Sequence, residues 1–104
     1  MRGDIYRFPS TKSKVAHAQR GARYAVVVQS NGLALSTVLV APTSTSVRPT
    51  SFRPRINMDG TTTYILTEQI AVADLEKLGT FAGKLDAHEL AALDQALRIT
   101  FDLL

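Results

Sequence analysis

The chain predicts a mainly β fold with a C-terminal α-helix: a small, strongly bent antiparallel sheet or barrel with one helix packed on it. Two patterns carry this reading. Short apolar runs, bounded by proline, glycine or asparagine, fill most of the sequence, as expected of short strands joined by turns. A single stretch of helical periodicity then closes it, opened by Asp86-Ala87-His88-Glu89. That tetrad is a capping box, in which the aspartate side chain bonds the third amide of the helix.

The elements follow in order. Asp4-Ile5-Tyr6-Arg7-Phe8 mixes polar and apolar side chains and is stopped by Pro9, which predicts a short, half-buried strand. Residues 10–21 are polar and basic, with no strand pattern. They are expected to form a loop, and long loops often carry function. Residues 24–29 predict a buried strand, and Asn31-Gly32 a turn. Residues 37–41 predict the next strand, ended by Pro42, with a loop of hydroxyls (Thr43-Ser44-Thr45-Ser46) and Arg48 behind it. Residues 52–56 predict an edge strand, since Pro54 cannot donate to a ladder. Asp59-Gly60 is a second turn signal, and residues 63–66 and 69–72 predict two more strands. Residues 73–78 predict one helical turn before Gly79. Leu90, Leu93, Leu97, Phe101 and Leu104 then recur along one helical face, which should cover one side of the sheet. No internal repeat or boundary divides the chain, and residues 1–104 are expected to form one domain.

The 104 residues, 45% apolar and 20% charged, are enough for one hydrophobic core and unlike a disordered chain. No stretch approaches the roughly 20 apolar residues that cross a bilayer. The N-terminus is charged from Arg2 onward and has no apolar signal core, so a cytoplasmic protein is expected. There is no cysteine, hence no disulfide, thiolate metal site or thiol nucleophile. His17 and His88 have no carboxylates at ligand spacing, so neither a metal nor any other cofactor is expected.

The net charge of +3 conceals an asymmetry. Residues 1–55 hold nine Lys and Arg against Asp4 alone, whereas residues 56–104 hold three against eight acids. A basic half of this kind suits a polyanion such as nucleic acid.

Arg23 stands at the mouth of the buried strand 24–29. Its guanidinium stays charged and can fork onto two phosphate oxygens. Ser44, in the hydroxyl cluster, can donate to a phosphate oxygen. His17 can move a proton near neutral pH, and Glu68 can act as a general base if partly desolvated. Arg20, Arg48, Arg53 and Arg55 suit contacts to a nucleic-acid backbone. Each also has a plainer reading, as a turn residue or a solvated surface charge. No phosphate-cradling glycine loop, metal box or serine-triad signature is present.

Together these segments resemble a known family. Arg2-Gly3-Asp4-Ile5-Tyr6, His17-Ala18-Gln19-Arg20-Gly21-Ala22-Arg23 and Val26-Val27-Val28-Gln29-Ser30 resemble the opening of the MazF/PemK/Kid toxins. The likeness continues through Thr37-Val38-Leu39-Val40-Ala41-Pro42-Thr43-Ser44, Thr67-Glu68-Gln69-Ile70 and Leu78-Gly79. It implies an SH3-like barrel of the CcdB/PemK toxin type, active as a homodimer. It also implies metal-independent, sequence-specific cleavage of single-stranded RNA, usually messenger RNA. Such an mRNA interferase arrests growth until a MazE-type antitoxin lays an acidic tail across the RNA groove.

By this resemblance Arg23 is the family arginine, Ser44 stands for the catalytic threonine, His17 for a histidine before the arginine, and Glu68 for the carboxylate before the glutamine. Gln19, Arg20, Thr43, Thr45, Arg48, Arg53, Arg55 and Gln69 would contact RNA. The chain departs from the pattern in three ways, at four positions. Serine replaces threonine at 44, Tyr24 follows the arginine where proline is common, and Leu66 and Ala71 stand where relatives carry basic residues. The alternative reading is a non-catalytic, CcdB-like toxin of the same fold that binds DNA gyrase, against which the pairing of Arg23 with Ser44 argues.

Overall fold

The computed structural model describes residues 1–8, 23–33 and 35–103. Seven strands among these form one curled antiparallel sheet: β1 (Asp4–Arg7), β2 (Tyr24–Val27), β3 (Thr37–Ser44), β4 (Arg55–Met58), β5 (Thr61–Ile65), β6 (Ala71–Asp74) and β7 (Phe81–Lys84). A helix, α1 (Ala87–Phe101), closes the half-barrel. The strand order is β4-β5-β3-β2-β1-β7, with β6 also paired to β3. The predicted class, mainly β with a C-terminal helix, holds.

The sheet is apolar on both faces where β2 and β3 run through it. Val26, Ala41, Ile5, Ile56 and Ile65 face α1 and enclose Leu93, which is fully buried. Ala25, Val27, Val38 and Val40 face the other way, beneath Tyr6, Phe8, Ala73 and Leu78. Burial on both faces is why β2 reads as an unbroken apolar run. Helix α1 begins as predicted. Asp86 accepts from the Glu89 amide at 2.7 Å, and the Glu89 side chain returns a bond from the Asp86 amide at 3.0 Å. Leu90, Leu93 and Leu97 face the core. Phe101, expected on that face, is 54% exposed. Leu104 lies outside the described residues.

Other expectations change as well, among them the edge strand predicted at 52–56, which forms instead at 55–58, just past Pro54. Pro42 does not end its strand; β3 runs on to Ser44. Val28 donates to the Leu39 carbonyl across β2 and β3, and this bonding parity turns the nitrogen of residue 42 towards the other edge. There β6 has just ended at the Val40–Ala71 pair and β5 begins at the Thr43–Ile65 pair. A proline nitrogen in that gap breaks no ladder bond, while the Pro42 carbonyl accepts from Leu66. The stretch predicted as a strand at 69–72 divides: residues 67–69 make a 3-10 turn, and β6 starts at Ala71. The helical turn predicted at 73–78 shrinks to the 3-10 turn Leu75–Lys77. Strand β7 adds an element that its Phe-Ala-Gly-Lys sequence, with no apolar alternation, does not signal. The Asp59-Gly60 turn is confirmed, with positive φ at both residues, 52° and 82°, as a two-residue hairpin needs.

Candidate active site

The pairing registers place the chemistry. β2 and β3 pair Ala25 with Pro42 and Val26 with Ala41. Continued by two residues, this register sets Arg23 opposite Ser44. The next pair inward, Tyr24 with Thr43, is tied by the Thr43 hydroxyl, which donates to the Tyr24 carbonyl at 3.3 Å. The Arg23 carbonyl itself accepts from the Phe8 amide of the strand on its other side, at 2.8 Å. Arg23 and Ser44 therefore form a non-hydrogen-bonded pair, the type whose Cα atoms approach to about 4.5 Å and whose side chains lie closest.

The same level of the sheet extends further. Ser44 is opposite Tyr64 on β5, and Tyr64 is opposite Arg55 on β4. Residues directly opposite share a face, so Phe8, Arg23, Ser44, Tyr64 and Arg55 form one row across five strands. From β2 to β4 it spans three strand spacings, about 14 Å. The flanking residues Ile56, Thr63 and Ile65 point into the α1-side core, so the row lies on the opposite face. Arg55 is exposed, and Arg23 and Tyr64 are half-buried. Ser44, 4% exposed, is the floor of the row between two longer side chains. Its Oγ accepts from the Ser46 amide at 3.1 Å, which leaves the hydroxyl proton to donate.

Glu68 lies on the 3-10 turn beyond β5. Arg53 holds its Oε2 with two nitrogens, Nε at 3.1 Å and Nη2 at 2.7 Å. Partial burial pushes the Glu68 pKa up. The Arg53 hydrogen bonds, the residue's own amide, the Arg53 charge and Gln69 outweigh this and hold it below the ordinary value. The turn is anchored by Thr67, 1% exposed. Its hydroxyl donates to the Phe52 carbonyl and lies 2.6 Å from the Thr100 hydroxyl of α1. A hydroxyl has one proton, so Thr100 is the donor to Thr67.

The predicted residues thus fall into groups. Arg23, Ser44 and Arg55 come together in the row. Arg48 and Arg53 lie on the loop joining β3 to β4, where Arg53 also donates to the Arg48 carbonyl. Thr45 and Gln69 are exposed beside these segments. Arg53, expected to meet RNA directly, is already committed to Glu68. Thr43, expected among the RNA contacts as part of a loop, is instead a strand residue, 3% exposed and turned towards the core. His17, Gln19 and Arg20 lie outside the described residues. Tyr64 carries little sequence signal of its own, being an aromatic between threonines and Ile65 in β5. Among the described residues no three acids or histidines gather as a metal site, and no helix is long and apolar enough to span a membrane. A hollow of about 80 Å³ near Met1, Val27 and Val38 lies at the far end of β2 and is too small for a nucleotide.

The profile of the PemK-like, MazF-like toxins of type II toxin–antitoxin systems matches residues 1–101. A Mycobacterium tuberculosis (strain ATCC 25618 / H37Rv) protein described as a candidate toxin is 38% identical over 98 residues, covering 93% of this chain and 92% of that protein. Among solved structures, a mycobacterial endoribonuclease in complex with its cognate antitoxin superposes with a TM-score of 0.81 at 20% identity, over 100% of this chain and 96% of the other. The Mycobacterium tuberculosis toxin MazF-mt6 gives 0.78 at 22% identity, over 97% and 98%.

Proposed function

Because this chain belongs to the PemK-like, MazF-like family of toxins of type II toxin–antitoxin systems, we propose that it is a sequence-specific, metal-independent endoribonuclease. It cuts single-stranded RNA, messenger RNA first, in the cytoplasm, as a homodimer restrained by a MazE-type antitoxin. The observation that carries this reading is the pairing of Arg23 with Ser44 at opposed, closely approaching positions. A permanent cation beside a hydroxyl with a free proton suits the two non-bridging oxygens of one phosphodiester.

The reaction is an intramolecular transesterification. The ribose 2′-oxygen attacks phosphorus, the P–O5′ bond breaks, and a 2′,3′-cyclic phosphate and a 5′-hydroxyl result. Arg23 stabilises the charge that builds on the phosphorane; a guanidinium with a pKa of about 12.5 or above is a poor base at neutral pH. Ser44 donates to a non-bridging oxygen. The 2′ proton passes to Glu68 or His17, and a proton returns to the leaving 5′-oxygen. Glu68 is ionised at neutral pH, as an acceptor must be, but the Arg53 clasp lowers its basicity.

Purified protein should cut an RNA transcript into fragments with 5′-hydroxyl ends. Arg23→Ala and Ser44→Ala should each remain folded and lose on the order of 10²–10³ in rate. A 2′-deoxy substitution at the cut position should abolish cleavage. Cleavage of that deoxy substrate, or unimpaired cutting by Arg23→Ala, would overturn the assignment. Intact RNA with stalled gyrase would point to the CcdB-like alternative.

A further inference from the structure

The row contains one residue that the proposed chemistry does not use. We infer that Tyr64 is a substrate-positioning residue: its ring is the platform for the nucleobase adjoining the phosphate held by Arg23 and Ser44. This rests on the nuclease reading above and adds a specificity element to it.

Three observations support the role. First, Tyr64 is directly opposite Ser44 in the β3–β5 pair and directly opposite Arg55 in the β4–β5 pair. It therefore stands between the hydroxyl and the second cation of the row. Second, its neighbours Thr63 and Ile65 are 3% and 0% exposed and point into the core. Strand alternation then sends the Tyr64 ring to the face that bears Ser44. Third, Tyr64 is a large aromatic that joins neither apolar cluster of the fold, and its hydroxyl has no hydrogen-bond partner among the described residues. A tyrosine kept for packing would be found in one of those clusters. Proteins that hold single-stranded nucleic acid combine cations along the backbone with aromatic faces for the bases, and in this row both occur one strand apart.

The test is steady-state cleavage of a short oligoribonucleotide containing one cut site, with abasic versions of each nucleotide flanking it. Tyr64→Ala and Tyr64→Leu should raise KM by roughly 5- to 150-fold, the worth of one base–aromatic stack, with kcat little changed. Tyr64→Phe should behave as the wild type, since it keeps the ring. Removing the stacked base should raise the wild-type KM by the same factor and leave Tyr64→Ala no worse. The Phe variant fills the space of the ring and the Leu variant part of it, so a poorly folded Ala variant would not block the comparison. Unchanged KM in the Leu variant, equal abasic penalties in wild type and variant, or loss of kcat in Tyr64→Phe would each overturn the stacking role. Wild-type protein that leaves the RNA uncut would instead overturn the nuclease reading itself, an outcome plainly different from active enzyme indifferent to residue 64.

Discussion

Replacing Thr67 by valine removes one oxygen and keeps the branched shape, which isolates the tie between α1 and the turn that carries Glu68. Two contacts end at that oxygen: its bond to the Phe52 carbonyl and the 2.6 Å contact from Thr100. A net hydrogen bond is worth about 1 kcal/mol, and a stranded buried partner costs about 1–3 kcal/mol. Thr67 is 1% exposed, so water cannot replace the lost group there. Thr100 is half-buried and can turn its hydroxyl outward, which limits the loss on its side. The expected destabilisation is therefore about 1–3 kcal/mol, and a midpoint drop of roughly 4–8 °C per kcal/mol in a domain of this size. The assay is a double-mutant cycle with Thr100→Val, followed by circular dichroism in urea. Two valines should cost less than the sum of the single changes by more than the roughly 0.3–0.5 kcal/mol within which independent sites add. Strict additivity, or an unmoved Thr67→Val midpoint, would refute the idea that these hydroxyls work as one tie.

Two further outcomes follow from the coordinates, beside the Arg23, Ser44 and Tyr64 variants already set out. A Cβ on Gly79 would stand 2.5 Å from the Arg7 carbonyl oxygen, so Gly79→Ala should force β1 and the segment before β7 apart and cost about 1–3 kcal/mol in denaturant melts; a neutral effect would mean the approach relaxes freely. Arg53 holds the Glu68 carboxyl below its ordinary value of 4.5. A lowered carboxyl adds stability that is complete above the unfolded value and is lost as pH falls through the folded one. Melts across the acid range should therefore show wild type losing more stability than Glu68→Gln below about pH 4.5, and parallel curves would contradict the clasp.

The terminal helix was legible because its start is a local event: Asp86 and Glu89 cap each other within four residues. The Asp59-Gly60 hairpin was legible for the same reason. β7 was not, because Phe81 and Gly83 become strand only through pairing with Tyr6 and Ile5. Pro42 misled because its missing donor matters only if something lies on that edge, and the hand-over from β6 to β5 is a tertiary fact. In the candidate site, Arg23 and Ser44 stand out from their sequence contexts alone, and the β2–β3 register, continued, sets them opposite each other. Tyr64 and the row that unites it with Arg55 depend on three registers at once, which no local pattern encodes. Thr43 and Ser44 are adjacent in sequence, yet strand alternation sends one to the core and the other to the row.

The hairpin between β4 and β5 turns at Asp59-Gly60, three residue pairs or about 10 Å from the Arg55–Tyr64 pair. Side chains alternate along a strand, so a one-residue slip of register at that distant bend would set Arg55 opposite a buried threonine or isoleucine instead of the phenol. The neighbour of the row's second cation is thus decided remotely, by the backbone angles of two residues that never approach it.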